Sequence, residues 1–503
     1  MHPTARGTCV TASVSDVAAS LPQAEARGED VALVDATHDS RQVAAGWLFC
    51  AIRGSRADGH DHAPLAIEQG AGAILVDHWL DLAVPQIRVP DVRAAAGPAA
   101  ASVHGHPSRD LQVIGVTGTN GKTTTVYLLE AAFAAAGRGT GVIGTVETRV
   151  HGEAEPGVRT TPEGPDLQRL LRRMYDRGAD AVAMEVSSHG LDMHRVDGTR
   201  FAVGVFTNLS QDHLDWHGSM EAYFAAKARL FTSDFTDRGV VFLDGPGAES
   251  WSRRLLTVIE VPVTTVGREA DADVRIVDEH VDVSGSRARL VGDDLDLEIG
   301  TGFPGRFNVD NAATAVVAAI AAGVPAEVAA RGVAACPGAP GRLERVDAGQ
   351  PFTVLVDYAH TPDAIEQVVA TVRDLLDPDR RVVVVLGAGG DRDRAKRGPM
   401  GAAAALADVA VLTTDNPRSE DPRAILDAVL AGARDAVAAG APARIHAELD
   451  RRDAIRHAFE VARDGDVVVI AGKGHETGQE FEDRTLPFDD RVVARELLQA
   501  GAA

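Results

Sequence analysis

At 503 residues the chain is too long for one ordinary hydrophobic core, and roughly 150 residues per domain predicts three domains. Its 73 acidic against 50 basic side chains leave a formal charge of -23, the opposite of the basic footprint that binds nucleic acid or an anionic membrane, so neither partner is expected. Three separated cysteines, Cys9, Cys50 and Cys336, show no C-x-x-C spacing and indicate neither a disulfide framework nor a zinc site.

The first segment, to about residue 107, carries short apolar runs at Trp47 to Ile52 and Ala73 to Val76 around a helix-like Ala63 to Gln69, the pattern of a small α/β unit. No apolar leader follows a basic start, and no run approaches the roughly 18 to 20 apolar residues of a membrane span, so a soluble protein of a reducing cytoplasm is expected. The polar stretches Asp39-Ser40-Arg41 and Gly54 to His60 either bind a ligand or turn the chain. HGHPSRDL, with Pro107 ahead of a new strand, reads as a linker.

Leu111 to Thr125 reads LQVIGVTGTNGKTTT. A β-branched strand, Leu111 to Val116, runs into glycines 115, 118 and 121, and a mostly apolar segment from Val126 to Ala136 suits a helix packed on the sheet. Backbone N–H groups of Gly118, Thr119, Asn120 and Gly121 can approach an anion there, and the helix N-terminus adds partial positive charge. Lys122 would reach the β- and γ-phosphates and the Thr123 hydroxyl would reach Mg2+, with Thr124 closing the ATP-binding stretch. The strict G-x-x-x-x-G-K-[ST] pattern places glycine at 116, where this chain has Val116, so only the G-K-T core matches. The loop points to a nucleoside triphosphate and Mg2+ and leaves the reaction open.

Further along, Arg159-Thr160-Thr161-Pro162 reads as a loop, and Asp166 to Tyr175 has helical spacing. The strand-like Ala181 to Val186 delivers Glu185 and then Ser187-Ser188-His189, and Val203 to Thr207 delivers NLSQDHLDWH with His213. Glu185 and His213 either complete a Mg2+ shell near Thr123, with His an unusual ligand for so hard an ion, or are a solvated carboxylate and a loop histidine. Lys227 lies in a helix whose Met220, Tyr223, Phe224 and Leu230 form an apolar face; a solvated lysine is the default there. Val274 to Ile299 alternates like an antiparallel meander, and Asn308 and Asn311 open an Ala/Val-rich helix, where amides cap it or read a base edge.

From about 339, strand-like Phe352 to Val356, Arg381 to Leu386, Val409 to Thr413 and Val467 to Ile470 alternate with helical segments and predict a parallel, doubly wound sheet. The residues after these strands are polar: Asp357 and His360; Gly387 to Arg392; Asp415-Asn416-Pro417-Arg418; and Gly472-Lys473-Gly474-His475-Glu476. Ligands of open α/β sheets bind outside the carboxyl ends of the strands, so these loops predict a ligand site at that edge.

Taken together, GTNGKTT, MEVSSHGL, TNLSQDHLDWHG, AAKARLF, GRFNVDN, DYAHTPDA, GGDRDRAKR, DNPR and GKGHE occur in one order along the chain, and in that combination the sequence resembles the Mur ligases, closest to the members that add meso-diaminopimelate. The resemblance implies three α/β domains: a small UDP-substrate domain (1–107), a central P-loop ATPase domain with a mostly parallel sheet plus an antiparallel meander (108–338), and a Rossmann-like amino-acid-binding domain (339–503). It implies that ATP phosphorylates the D-Glu γ-carboxylate of UDP-MurNAc-L-Ala-D-Glu and that the amine of meso-diaminopimelate attacks the acyl phosphate, with the chain acting as a cytoplasmic monomer. Lys122 would hold ATP, and Thr123, Glu185, His213 and an N-carbamylated Lys227 would hold Mg2+, which reverses the default for Lys227. Asn311 would contact adenine, and Arg342, Asp357 and His360 would reach ATP from the third domain. Ser40, Thr160, Thr161, Ser187 and Arg195 would bind the UDP-substrate, and Arg392, Asp415, Asn416, Pro417, Arg418, Gly472 and Glu476 the diaminopimelate.

Two departures from the pattern stand out: Met193 where a glutamine is usual, and the variant loop Ser55-Arg56-Ala57. Diaminopimelate differs from lysine by one distal carboxylate, which the planar fork of Arg418 suits; lysine would leave that guanidinium unpaired at a cost of about 1 to 3 kcal/mol. A lysine-adding relative, a folylpolyglutamate synthase and a silent nucleotide-binding subunit are the alternatives. DNPR with GKGHE argues against the second, and intact Lys122, Glu185, His213 and Lys227 against the third.

Overall fold

The structure, a computed structural model, describes residues 11–54, 57–157, 159–245, 250–282 and 285–501. Cys9, Ser55 and Arg56 lie outside the described residues. Two compact units form: Met1–Asp278 with Ala288–Ile299 and Asp310–Cys336, and Glu279–Arg287 with Gly300–Val309 and Pro337–Ala503. Cys50 is a buried free thiol, and Cys336 is buried with its Sγ 3.6 Å from the Tyr127 carbonyl.

The first unit opens with β1 (Ala12–Ser13), α1 (Val14–Ala19), β2 (Glu25–Arg27), β3 (Ala32–Leu33), β4 (Asp35–Thr37), β5 (Trp47–Cys50), α2 (Ala63–Glu68), β6 (Ala73–Val76), β7 (Gln86–Arg88) and α3 (Val92–Val103). Strands pair in the order β2-β7-β6-β5-β4, the small α/β unit expected from the apolar runs. Pro107 begins a single 3-10 turn, Pro107–Arg109, that leads into the next sheet.

That sheet is built from β8 (Gln112–Thr117), α4 (Lys122–Ala135), β9 (Thr140–Ile143), β10 (Glu147–Val150), β11 (Glu153–Pro156), α5 (Gly164–Asp176), β12 (Ala181–Glu185), α6 (Ser188–Asp192), β13 (Val203–Phe206), α7 (Leu214–His217), α8 (Met220–Ala228), β14 (Gly239–Phe242), α9 (Trp251–Leu256), β15 (Val263–Gly267), β16 (Val274–Asp282), β17 (Gly285–Gly292) and β18 (Leu295–Thr301). The strand order is β11-β10-β9-β12-β8-β13-β14-β15-β16-β17-β18. β9, β12, β8, β13, β14, β15 and β16 run parallel, which places the ends of β8, β12 and β13 side by side. Asp293-Asp294 alone join β17 to β18, too short a link for a parallel crossover, in keeping with the expected meander. α10 (Arg306–Ala321) and α11 (Ala326–Ala334) follow, so Asn308 and Asn311 lie within the first turns of a helix.

The second unit contains β19 (Glu344–Arg345), β20 (Thr353–Asp357), α12 (Pro362–Asp374), β21 (Val382–Ala388), α13 (Arg397–Ala404), β22 (Val409–Thr414), α14 (Pro422–Ala438), β23 (Arg444–Ala447), α15 (Arg451–Val461), β24 (Val467–Ala471), β25 (Gly478–Glu480), β26 (Thr485–Pro487) and α16 (Asp490–Gly501). Its sheet runs β19-β20-β24-β21-β22-β23, parallel from β20 to β23. Val382, Val384 and Leu386 face one core and Val383 and Val385 the other, so the strand is buried on both faces and reads as a continuous apolar run. No helix among the described residues is long and apolar enough to cross a membrane.

On this unit the rings of His446 (β23) and His457 (α15) stack with centroids 3.7 Å apart. Burial, then the neighbouring His457, lowers the proton affinity of His446, and Glu448 opposes both. The unfolded chain therefore binds this proton more readily, and stability is lost as the pH falls below the ordinary histidine value of 6.5. Denaturant midpoints of the native protein should fall further between about pH 7.5 and about pH 5.5 than those of His457→Gln, which lacks the repulsion.

Candidate active site

β8 lies between β12 and β13, and its carboxyl end opens into the glycine loop. α4 begins at Lys122, a turn earlier than the apolar pattern suggests, because its first residues are a lysine and three threonines. Gly118 and Gly121 have φ of +149° and +82°; a Cβ at either would stand 2.0 Å from Thr207 Oγ1 or 2.3 Å from Asn311 Oδ1. Asn208 fixes the loop, its carbonyl accepting from Thr119 N at 3.0 Å and its Oδ1 from Asn120 N at 2.9 Å. Lys122 Nζ donates to the carbonyls of Gly118 and Thr119 at 3.0 and 2.7 Å.

Glu185, at the end of β12, is 1% exposed. It accepts from Thr123 Oγ1 at 3.0 Å, from Thr145 N at 2.9 Å and from Thr145 Oγ1 at 3.1 Å. Among the described residues no basic side chain pairs with it. A buried carboxylate met only by hydroxyls and an N–H, with the P-loop threonine at its side, is a hard-oxygen donor set and fits Mg2+.

Lys227, on α8, is also 1% exposed, against the solvated default for a helix lysine. Its Nζ donates to the Gly118 carbonyl at 2.8 Å and stands 4.7 Å from the centre of the Tyr223 ring. Burial, then repulsion from Lys122, lowers its pKa well below the usual lysine range, with Asp212 opposing. Burial thus disfavours the ammonium form beside the glycine loop. His213 adopts φ +52°, and its Nε2 lies 3.3 Å from Asp212 Oδ2. It makes no hydrogen bond to Thr123 or Glu185, and burial lowers its pKa. The ring of His189 meets it edge-on at 4.8 Å and is itself pushed down to about 4, first by burial and then by His213 and His217.

The residues expected to hold the second substrate gather next to Glu185. Thr161 Oγ1 donates to the Glu185 carbonyl at 3.0 Å and accepts from Ser187 N at 3.0 Å, Ser187 caps α6, and Thr160 Oγ1 lies 2.9 Å from Thr145 Oγ1. Arg195 donates to the Thr161 carbonyl at 3.2 Å, and its Nε lies 3.0 Å from Glu163 Oε1. Arg93 and Arg159 also pair with Glu163, so three guanidiniums share one buried carboxylate, a local positive centre in an acidic protein. Met193 contributes a thioether 3.3 Å from Arg195 Nη2. Ser40, in the turn after β4, has no hydrogen bond to any of these residues.

In the second unit the polar loops singled out from sequence follow the carboxyl ends of β20, β24, β21 and β22. Asp357 accepts from Leu343 N at 2.7 Å and Ala359 N at 2.8 Å, and burial raises its pKa. Arg342 stacks 4.6 Å over the Tyr358 ring, and His360 Nδ1 donates to the Tyr358 carbonyl at 2.9 Å. Lys473, fully buried, donates to Asn416 Oδ1 at 2.9 Å and Glu476 Oε2 at 3.0 Å, while Asn416 Nδ2 donates to the same Glu476 oxygen at 2.7 Å. Its ammonium lies 3.7 Å from Asp415 and so ties the loops after β22 and β24. Arg392 is exposed, as is the loop around it.

Arg418 corrects one expectation. With φ +51°, its Nε donates to Glu480 Oε2 at 2.7 Å and its Nη1 to the Gly390 carbonyl at 2.8 Å. The guanidinium is already paired within the protein, so a ligand lacking a distal carboxylate does not leave it unpaired, and the estimated penalty against lysine does not hold. Sequence reasoning also missed Thr145 and Tyr223 as neighbours of Glu185 and Lys227. The only prior signal was at Tyr223, four residues before Lys227 and therefore on the same helix face; its hydroxyl lies 3.1 Å from Thr119 Oγ1.

A parallel sheet whose central strand runs through a glycine loop into Lys-Thr and a helix, with a buried carboxylate on the next strand, defines a P-loop nucleotide-binding protein. The Mur ligase middle domain matches residues 116–319, the Mur ligase glutamate ligase domain 341–474 and the Mur ligase catalytic domain 36–105. The chain is 47% identical over 479 residues to the UDP-N-acetylmuramoyl-L-alanyl-D-glutamate--2,6-diaminopimelate ligase of Streptomyces avermitilis, covering 93% of each, and 44% identical to the enzyme of that name from Geobacillus thermodenitrificans, covering 94% of this chain and 96% of that one. A solved structure of a ligase of that name superposes with a TM-score of 0.72 at 31% identity, over 98% of this chain and 100% of the other. Folylpolyglutamate synthase of Mycobacterium tuberculosis, at 22% identity and TM-score 0.60 over 76% of this chain and 92% of that one, shares the fold. The chain belongs to the Mur ligase family.

Proposed function

We propose that the chain joins meso-diaminopimelate to the D-Glu γ-carboxylate of UDP-MurNAc-L-Ala-D-Glu at the expense of ATP, in the cytoplasmic synthesis of peptidoglycan precursors. The observation that carries it is the pair of Thr123 and the uncompensated, buried Glu185, 3.0 Å apart at the end of the P-loop, in a chain so similar to ligases of that name. A carboxylate is a poor electrophile. Transfer of the γ-phosphoryl group makes a carboxylate oxygen to phosphorus bond and releases ADP; the amine then bonds to the acyl carbon, loses a proton, and phosphate leaves with the electrons of the broken C–O bond.

The loop N–H groups of Gly118 to Lys122 and the Lys122 ammonium would hold the phosphates, with Thr123 and Thr124 completing the ATP-binding stretch. Thr123, Glu185, His213 and a carbamylated Lys227 would hold Mg2+, which when bound offsets charge on the transferred group. Lys227, whose burial disfavours the ammonium, is suited to bond carbon dioxide as the free amine and shed a proton, becoming an anion. Thr160, Thr161, Ser187 and Arg195, with Ser40, would take the UDP-substrate; Asn311 would take adenine; and Arg342, Asp357 and His360 would meet ATP. Arg392, Asp415 to Arg418, Gly472 and Glu476 would take the diaminopimelate. We place domain limits at 1–107, 108–338 and 339–503 and expect a monomer.

Phosphate release on mixing ATP, Mg2+ and UDP-MurNAc-L-Ala-D-Glu with either meso-diaminopimelate or lysine tests the reading, and no diaminopimelate-dependent release sinks it. Arg418→Ala should raise KM for diaminopimelate about 10- to 100-fold, the range of one charged hydrogen-bonding partner, and leave KM for ATP unchanged. Equal loss of both would contradict the clamp.

A further inference from the structure

We infer that Glu480 is an internal competitor for the guanidinium that receives the amino-acid substrate's distal carboxylate; this rests on Arg418 being that clamp. Arg418 and Glu480 are 62 positions apart in sequence but are joined twice, by Arg418 N donating to the Glu480 carbonyl at 3.0 Å and by the side-chain pair at 2.7 Å. The side chain of Glu480 is 49% exposed and that of Arg418 is 25% exposed, so the carboxylate can leave into water while the guanidinium stays lined by protein.

Arg418 does not need Glu480 to keep its place. Its Nη1 is held by the Gly390 carbonyl at 2.8 Å, and Gly390 is itself fixed by donating its N–H to the Asn416 carbonyl at 2.8 Å. A Cβ at Gly389 would stand 3.2 Å from that Nη1, so the glycine pair admits the guanidinium at contact distance. A planar fork takes a carboxylate bidentately along one edge. On the Nε edge the incoming carboxylate must displace Glu480; on the other edge it binds with Glu480 still opposite. In both geometries the Glu480 charge opposes the ligand's, and the substrate-free pair acts as a built-in stand-in for the ligand.

The test uses the full-length protein and steady-state phosphate release with ATP, Mg2+ and UDP-MurNAc-L-Ala-D-Glu. Glu480→Gln and Glu480→Ala should both lower KM for meso-diaminopimelate, by about two- to fivefold as befits a half-exposed ion pair, with kcat and KM for ATP unchanged. KM that is unchanged or raised in both variants overturns the inference, since Glu480 would then be neutral, would orient Arg418 or would hold the substrate's ammonium. Failure of the native protein to turn over diaminopimelate refutes the underlying reading instead, and Arg418→Ala without effect refutes the clamp.

Discussion

Lys227→Ala is expected to lose on the order of 10³-fold or more in kcat while binding ATP within a few-fold of the native protein, the signature of a group that acts on the transferring phosphoryl rather than on nucleotide affinity. The side chain is buried, its Nζ bonds the Gly118 carbonyl at 2.8 Å, and its pKa is driven down first by burial and then by Lys122. As a bare amine it would put a donor beside the triphosphate that Lys122 would hold. As a carbamate it presents anionic oxygens, and only the neutral amine forms one. Carbamylation releases a proton, so its occupancy rises with pH and with bicarbonate. Lys227→Arg keeps a cation but cannot be carbamylated, and should be as inactive as the alanine variant. Protein dialysed free of carbon dioxide should lose activity and regain it with bicarbonate, and labelled bicarbonate should give a carbamate ¹³C resonance absent from both variants. Native-like kcat in either variant would sink the assignment.

The parts of the site carried by strand ends were legible from sequence, and those made by side chains meeting across loops were not. Val382 to Ala388 and Val467 to Ala471 are buried on both faces, and a run of apolar residues closing on Gly or Asp marks such a strand and where it ends. Glu185 was legible for the same reason. Thr145, which holds both its oxygens, comes from a loop 40 residues away and carries no local pattern. A lysine in a glycine-rich loop reads as solvated, yet Lys473 is fully buried because Asn416 and Glu476, from two loops, together satisfy its ammonium. The Arg418–Glu480 pair was invisible in the same way, and it changed the specificity argument: a fork that sequence chemistry leaves waiting for a carboxylate has one already. Family resemblance reached Lys227 where helix pattern could not, although Tyr223 one turn before it on the apolar face held the hint.

Glu185→Gln should lose on the order of 10³-fold in kcat and need far more Mg2+ for half-saturation, with little change in folding stability. The amide keeps the size of the carboxylate, and its oxygen can still accept from Thr123 Oγ1 and Thr145 N, the contacts now made by Oε1. What it removes is charge. In the native protein that charge is buried with no basic partner among the described residues, an arrangement that costs stability unless a cation is bound. The neutral variant should therefore unfold at the same or slightly higher denaturant concentration than the native protein without Mg2+, and should lose any stabilisation that Mg2+ and nucleotide confer together. Glu185→Ala would confound the two effects, because it also deletes the hydrogen bonds that anchor Thr123 and Thr145. Titrating Mg2+ at saturating ATP, beside denaturant unfolding with and without it, separates charge from packing. A glutamine variant with native kcat and an unchanged Mg2+ response would show that this carboxylate holds the loop and not the metal.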